Sequence, residues 1–494
     1  MTERLKGFWK QIRETIWSQT SGKAALILLS MLVIIGVAAA LALPPNFISI
    51  WNDPKYWGGK PKNVPPSWSS FFGYPCVQHF EEDLRTLAYK LNVTANEASL
   101  TYTFNYDYRG DGFPQGMALK LDGIYVNGVG NMRIEIHIAR PDGVVVPDVI
   151  SYLATGANGS ISIENIILNP DTIKLASTLV MSYPQFLRVA SMNDIAMNYP
   201  IYLFGKYSNS SKIAPLGGVY KVYVFVRIST LGSVTIDDVN KVVNALKSSK
   251  DFRFIIIGTC YGLLGTDYRG RDLAQALFFG LPIALLIGFG TAFLTTVIGL
   301  FAGLVSGYYG GFIDEFVQRF IDVLGSIPTL PILILIAVSV QQAYGASPYK
   351  PIIMLMVILF TLIVFGWGGL AIIVRSMTLS IKAEAYVEAA QAVGASNWWI
   401  MTKHIIPQLL PYIAAQMVYS APSAILTEAG LSILGIQHGL PTWGGILSDA
   451  RLYGNIGYWW WIFPPGIAIS IVSLTFVLLG MSIERVVEPR LRGM

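Results

Sequence analysis

The chain has 494 residues, 53% of them hydrophobic and only 13% charged, with a formal net charge of +5. Soluble domains carry about 25% charged residues, so a wholly soluble protein is excluded. The small positive excess forms no basic stripe of the kind that marks nucleic-acid binding. The charge deficit is uneven along the chain. Residues 24–43 carry no charge, residues 44–264 read as an ordinary soluble domain, and residues 273–484 are apolar again between short polar breaks.

In the leader, Leu5, Phe8, Trp9, Ile12, Ile16 and Trp17 fall on one helical face, with Lys6, Lys10 and Arg13 opposite. Such a helix lies in a membrane interface. The apolar run that follows is long enough to span a bilayer. It is also longer than the roughly 7–15 residues of a signal-peptide core, so an uncleaved anchor is expected.

The next segment, about 220 residues long, carries strand signals. Ile134, Ile136 and Ile138 alternate with Arg133, Glu135 and His137. Val222, Val224, Val226 and Ile228 alternate with Lys221, Tyr223, Phe225 and Arg227. A period of two marks a half-buried strand. Residues 99–106 and 161–168 are also strand-like, and Thr235–Lys247 has helical spacing with Val239, Val242, Val243 and Leu246 on one face. The expectation is a β-rich (α+β) domain, a sandwich with one or two helices.

Five more spans are predicted, at about 273–305, 322–343, 351–374, 408–435 and 462–483, with Asp272 capping the first of these. Pro328 and Pro331 predict a bend early in the third span of the six. Gly299, Gly303 and Gly307 form a small-residue row, which reads as close helix packing rather than as a gate. Glu428, in the fifth span, is the main ionisable suspect for function. It either lines the outer part of a pathway or caps the helical stretch that follows. Gln416, Ser420 and Ser423 on the same span, and Gln341 and Gln342 at the end of the third, are further pathway candidates.

Basic residues crowd the leader, the short loops holding Arg319, Arg375, Lys382 and Lys403, and the C-terminal tail with Arg485, Arg490 and Arg492. Short basic loops stay cytoplasmic. Both termini are therefore placed in the cytoplasm and residues 44–272 outside, in a multi-pass protein of the cell membrane. Cys76 and Cys260, the two cysteines, fall near the two ends of the outer segment. In an oxidising space they form a disulfide stapling its ends; the alternative is two free thiols. The three N-x-[ST] sequons, at Asn92, Asn158 and Asn209, also fall there.

Catalytic and cofactor motifs are missing. There is no G-x-x-x-x-G-K-[ST]; the Gly-Lys pairs at Gly22, Gly59 and Gly205 are followed by Ala, Pro and Tyr. His79, His137, His404 and His438 have no metal-ligand spacing, so no metal site is expected. Residues 382–397 are rich in helix formers. Their small side chains suit a helix that enters a partner's groove. Gly394 permits a turn, and Pro407 is expected to start a new helix.

Several stretches carry a family resemblance: GTDYRGRD (265–272), GYYGGFIDEFVQRFIDVLGSIPTL (307–330), EAYVEAAQAVGASNWWIMTKHIIPQLLPYI (384–413), ILTEAGLSILGI (425–436), PTWGGILSDAR (441–451) and EPRL (488–491). Together they resemble the permease subunit of dipeptide/oligopeptide-type ABC importers. The resemblance implies a polytopic α-helical permease fold of six spans. Residues 1–43 are then the leader and first span, 44–264 an extracellular β-rich insert between spans one and two, and 265–494 the permease core. It implies an ATPase-coupling loop at Glu384, Glu388, Ala389, Ala390, Gly394, Ala395 and Pro407. The implied partners are a second permease subunit, two ABC ATPase subunits and an extracellular solute-binding protein, besides membrane lipid and with no nucleic acid. ATP and Mg would be bound by the ATPases and no cofactor by this chain, which is not itself an enzyme. The expected load is peptide, with oligosaccharide as the alternative. Family members have only a short segment where this chain has its insert, whose role does not carry over. A membrane receptor is the rival class. A secondary transporter would want internal repeats, and none is evident.

Overall fold

A computed structural model describes residues 16–487, except residues 43, 95, 157–159, 209–211, 230–232, 346, 348 and 456. Leu5, Phe8, Trp9 and Ile12 of the leader, the sequons at Asn158 and Asn209, and the closing EPRL lie outside the described residues. Two compact units are present: Asp53–Ala274, and the flanking Met1–Asn52 with Gln275–Met494.

Helix α1 (Thr20–Ala42) is followed by Asp53–Ala274, an antiparallel β domain. Its strands are β1 (Phe80–Asp83), β2 (Tyr89–Val93), β3 (Glu97–Tyr108), β4 (Gly116–Asp122), β5 (Ile124–Asn127), β6 (Asn131–Ala139), β7 (Val145–Thr155), β8 (Ser160–Ile163), β9 (Ile166–Leu168), β10 (Gly205–Ser208), β11 (Lys212–Pro215), β12 (Gly218–Ser229) and β13 (Asp251–Ile257). One sheet has the order β2-β3-β12-β6-β7 and another β1-β13-β4-β9; β10-β11 and β5-β8 are two-stranded. Along β12 the alternate residues Tyr220, Val222, Val224, Val226 and Ile228 are buried. Burying a Val or Ile side chain stabilises by about 1.5–3 kcal/mol. The two larger sheets share one core, in which Tyr102 meets Phe252 at 5.8 Å and Phe104 meets Phe254 at 5.6 Å between ring centroids.

Besides the one-turn helix Pro54–Trp57, the described residues of the domain form α2 (Thr172–Ser182), α3 (Met192–Met197), α4 (Tyr199–Leu203) and α5 (Ile236–Ser248), more than the expected one or two. Helices α2, α3 and α4 come from a stretch with no strong period. Helix α5 is opened by a capping box between Thr235 and Asp238, and it buries Val239, Val242, Val243 and Leu246. The single strand expected over 161–168 is two strands in different sheets. Asn165 adopts φ 45° between them, and its N–H is held by Asp122 at 2.9 Å.

The incoming and outgoing ends of the domain are zipped together. Asn63 donates to the Asp267 carbonyl, Thr266 to Val64, Tyr261 to Pro65 and Thr259 to Val77, all at 2.8–3.0 Å, and Cys76 is disulfide-bonded to Cys260. The GTDYRGRD segment closes this neck. Gly265 and Gly270 take φ of 73° and 85°. The Asp267 carboxylate accepts from the backbone N–H of Arg269 (2.8 Å) and Arg271 (2.9 Å) and pairs with the Arg271 guanidinium. Asp272 accepts from the Ala274 N–H at 2.8 Å, capping the next helix.

A short helix, Phe47–Asn52, precedes the β domain, and after it come α6 (Leu273–Tyr309), α7 (Gly311–Ser326), α8 (Thr329–Tyr344), α9 (Lys350–Gly366), α10 (Gly368–Lys382), α11 (Ala385–Ala392), α12 (Asn397–Ile433), α13 (Trp443–Tyr453) and α14 (Trp459–Val487). Among the described residues, five helical segments are long and apolar enough to cross a membrane, or six if the bent pair α7–α8 is one span. The bend expected from Pro328 in the third span is present, and sharp: the arms of the pair meet at 72°. The break is at Ile327, extended at φ −84° and ψ 122°, the conformation that a following proline imposes. The fourth span runs Lys350–Lys382, past the expected end. Gly299, Gly303 and Gly307 pack on α10; a Cβ on Gly303 would stand 2.4 Å from the Ala371 carbonyl oxygen.

Candidate functional site

Helix α11 carries most of the expected coupling residues on an exposed surface. Glu384, Ala385, Glu388, Ala389 and Gln391 are exposed, and Ala390 and Ala395 are half-buried. Glu388 lies in the first turn, where a carboxylate complements the helix dipole. One side chain faces inward. Val387 is fully buried among Leu304, Tyr308, Val374, Ile400 and Leu409. Sequence reasoning passed over Val387, although it is the only aliphatic residue larger than alanine between Ala383 and Ala392.

The helix ends in a Schellman turn. Ala395 N–H donates to the Ala390 carbonyl (3.1 Å) and Gly394 N–H to that of Gln391 (2.9 Å), with Gly394 at φ 86°. Ser396 then caps α12 through the Trp399 N–H. The loop is clamped on both sides to Tyr308 of α6. Lys382 Nζ donates to the Tyr308 carbonyl at 2.7 Å, and the Tyr308 hydroxyl donates to Asn397 Oδ1 at 3.0 Å. Nearby, the Asp314 carboxylate takes both Nε and Nη2 of Arg375.

Pro407 stands in the first turn of the α-helical segment Ile406–Ile433, as expected. It lies in α12, which is already helical from Asn397 and passes through a π turn at Met401–Ile405. A proline inside an α-helix clashes with the carbonyl four residues back. The wider turn relieves that clash, and the Gln408 side chain donates to the His404 carbonyl at 3.0 Å. His404 lies between the rings of Tyr386 and Trp399, with centroids at 5.6 and 5.0 Å.

Of the pathway candidates, Gln416 and Ser420 line a cavity of about 290 Å³ with Thr295, Thr296, Gly366 and Ile373. Gln341 and Ser423 are exposed elsewhere. Glu428 is 3% exposed and lies outside that cavity. Its Oε1 accepts from Ser432 Oγ (3.0 Å), His438 Nε2 (2.9 Å) and Thr442 Oγ1 (3.1 Å). Thr442 in turn caps α13 by accepting from the Gly445 N–H at 3.2 Å. Trp443 donates from Nε1 to the Leu277 carbonyl at 2.9 Å, and Gly444 approaches Ala429 so closely that a Cβ would stand 2.6 Å from its Cα.

The family described as binding-protein-dependent transport system inner membrane component matches residues 296–493. The dipeptide transport system permease protein DppC of Bacillus subtilis (strain 168) is 35% identical over 230 residues, covering 46% of this chain and 68% of that protein. The oligopeptide transport system permease protein OppC of Haemophilus influenzae is 34% identical over 232 residues, covering 47% and 71%. The chain belongs to this family of transport-system permeases. Among solved structures, the inward-facing MetNI methionine ABC transporter aligns at 23% identity and a TM-score of 0.33, over 44% of this chain and 97% of that one.

The permease is a multi-pass membrane protein of a non-catalytic class, and its family works with ATPase and solute-binding partners. The matched segment contains α11, Pro407, the Gln416 cavity and Glu428, whereas Asp53–Ala274 lies before it. In that unit, Glu81 accepts from His79 (2.9 Å), Lys60 (2.5 Å) and Arg253 (2.7 Å). The His79 hydrogen bond, with Lys60 adding to it, holds the Glu81 carboxyl well below the usual carboxylate range, against burial. Glu135, His137 and Asp148 come together within 4.8 Å, a grouping that residue spacing did not disclose. Arg133, Arg227 and Lys174 already neutralise the two carboxylates, so the group is an ion-pair network rather than a cation site. Asn92, the sequon asparagine among the described residues, is exposed on β2.

Proposed function

We propose that this protein is a membrane permease subunit of an ATP-driven importer of peptides. Helix α11 is its contact with a separate ATPase. Both termini lie in the cytoplasm and residues 44–272, including the β domain, lie outside. A second permease subunit completes the pathway, two ATPase subunits bind ATP and Mg, and an external solute-binding protein delivers the load. The observation that carries the reading is α11 itself: a small-residue helix exposed on every side but one, pegged by Val387 and ended by Gly394. A bare alanine surface buries closely in a groove, and the peg and the Tyr308 clamps make the helix move as one piece with the spans. The dipeptide and oligopeptide names of the relatives support peptide as the load. The external β domain is placed to receive the solute-binding protein.

The test is ATPase turnover of the protein with its genomic neighbours in lipid, with binding protein plus peptides or plus oligosaccharides. Stimulation by peptides, lost in Glu388→Arg and Gly394→Val, is expected. Turnover indifferent to both substitutions overturns the coupling role, and stimulation by oligosaccharides alone overturns the load.

A further inference from the structure

We propose that the β domain holds a peptide site of its own: a groove along the open edge of β3 that takes the N-terminal end of an extended peptide as an added strand. The choice of a free peptide as occupant rests on the importer reading above; the geometry of the edge does not.

Strand β3 runs to Tyr108 and is paired with β12 along its whole length. On its other side β2 pairs only from Ala98 to Tyr102. From Thr103 onward that edge faces no strand among the described residues. Alternate residues of an antiparallel strand direct both N–H and C=O to the same side. An unmatched edge of this kind is a template for another chain.

Asn105, Asp107, Arg109 and Asp111 along that stretch are exposed, and the stretch borders a cavity. This cavity, of about 450 Å³, lies along residues 105–111, and its opposite wall is the segment 76–80 beside the Cys76–Cys260 bridge. That volume falls in the range of small-ligand sites, roughly 300–1,000 Å³. Residues 109–111, just past the end of the strand, also line the cavity.

The side chains around that end lack partners. Asn105, Asp107, Arg109 and Asp111 line the cavity, and their side chains make no hydrogen bond or ion pair with any described residue. Elsewhere in the domain Glu81, Asp83, Asp142, Asp148 and Asp251 are all paired. Gln78 and His79 line the other wall. The His79 side chain is 6% exposed, and its Nδ1 has no partner. Two free carboxylates against one guanidinium favour an α-ammonium over a carboxylate. Strand addition reads the backbone rather than the side chains, which suits a solute of variable sequence.

The experiment uses the full chain in lipid nanodiscs without ATPase or binding protein. Its probe is a hexa-alanine peptide with a free amino terminus and a fluorophore on a C-terminal lysine, followed by anisotropy. Saturable binding is expected. It should weaken about tenfold on Nα-acetylation of the probe, and about tenfold in Asp107→Asn/Asp111→Asn, exposed positions whose exchange leaves the core intact. Methylating alternate backbone nitrogens of the probe should abolish it, and maltohexaose should not compete. No saturable binding, or equal binding of the N-methylated probe, overturns the groove. If peptides still stimulate turnover of the assembled importer in that case, the importer reading stands and the groove alone has failed.

Discussion

Replacing Glu428 by alanine tests whether the buried carboxylate is the pin that fixes the segment 436–442 on α12. Glu428, Ser432, His438 and Thr442 are all 3% exposed or less. His438 Nδ1 accepts from the Leu440 N–H at 3.1 Å, so the ring proton sits on Nε2 and points at Glu428. Without the carboxylate, Ser432 can turn to the carbonyl four residues back, as helical serines do. The His438 N–H and the Thr442 hydroxyl have no comparable escape. Each buried unpaired donor costs about 1–3 kcal/mol, and the emptied side-chain volume adds to that. A loss of roughly 3–5 kcal/mol is expected, in line with breaking a buried pair from one side. At about 2–4 °C per kcal/mol, the midpoint should fall by roughly 10 °C. Glu428→Gln keeps an acceptor oxygen and should lose less than half as much. The assay is thermal unfolding of the nanodisc-embedded protein by tryptophan fluorescence, to which Trp443 contributes from the pinned segment. Glu428→Ala within about 2 °C of the parent protein, or Glu428→Gln as damaging as alanine, refutes the reasoning.

Gly303→Ala should lower stability by about 1–3 kcal/mol, because its Cβ meets the Ala371 carbonyl at 2.4 Å and α6 must move off α10. Gly290→Ala, with nothing within 4 Å, is the control and should be neutral or stabilising in the same melt. Glu81 is held below its unfolded range near pH 4.3, so its contribution is complete above that pH and is lost as pH falls toward the folded value. Protease resistance of the β domain should therefore drop below about pH 4, and Glu81→Gln should flatten that acid limb; an unchanged limb sinks the assignment. The Cys76–Cys260 bridge spans 184 residues, for which chain entropy sets a ceiling of about 5 kcal/mol. The neck's backbone bonds and the flanking helices restrain the same ends, so Cys76→Ser/Cys260→Ser should cost roughly 2–4 kcal/mol in denaturant titration of the β domain.

Elements with a strong period are legible in the sequence: β6, β12 and α5 lie where alternation and helical spacing put them, because each buries a continuous face of one core. What is not legible depends on single residues acting across distance. Asn165 breaks an apolar run into strands of two sheets, since one residue of positive φ is enough to redirect the chain. Pro328 fixes the geometry of the third span, and the degree of bending follows from packing that hydropathy does not encode. The π turn before Pro407 is invisible to propensity, which scores α-helix on either side. Glu428 stands out in its span, but its partner His438 is ten residues away, beyond any helical period. At α11 the exposed alanines are plain to read, whereas the buried Val387 that holds them is seen only once α6, α10 and α12 are assembled around it.

That peg decides whether α11 can act as a lever. Val387 touches a cluster drawn from three membrane helices: Leu304 and Tyr308 of α6, Val374 of α10, and Ile400, Ile405 and Leu409 of α12. Lys382 and Asn397, on opposite sides of α11 in sequence, both end on Tyr308. A force on α11 therefore reaches three helices together, and the softest joint in its path is the π turn at Met401–Ile405. Val387→Ala leaves the exposed face, and so the proposed ATPase contact, untouched. It removes two buried methyl groups, about 1.6 kcal/mol of burial, which is too little to unfold the helix bundle but enough to let α11 rock in its socket. The expected result is an assembled importer whose ATPases still turn over while less solute moves per ATP. Val387→Ile, which keeps the socket filled, should preserve the ratio. Proportional loss of turnover and uptake in Val387→Ala would mean that the peg secures assembly and not the transmission of force.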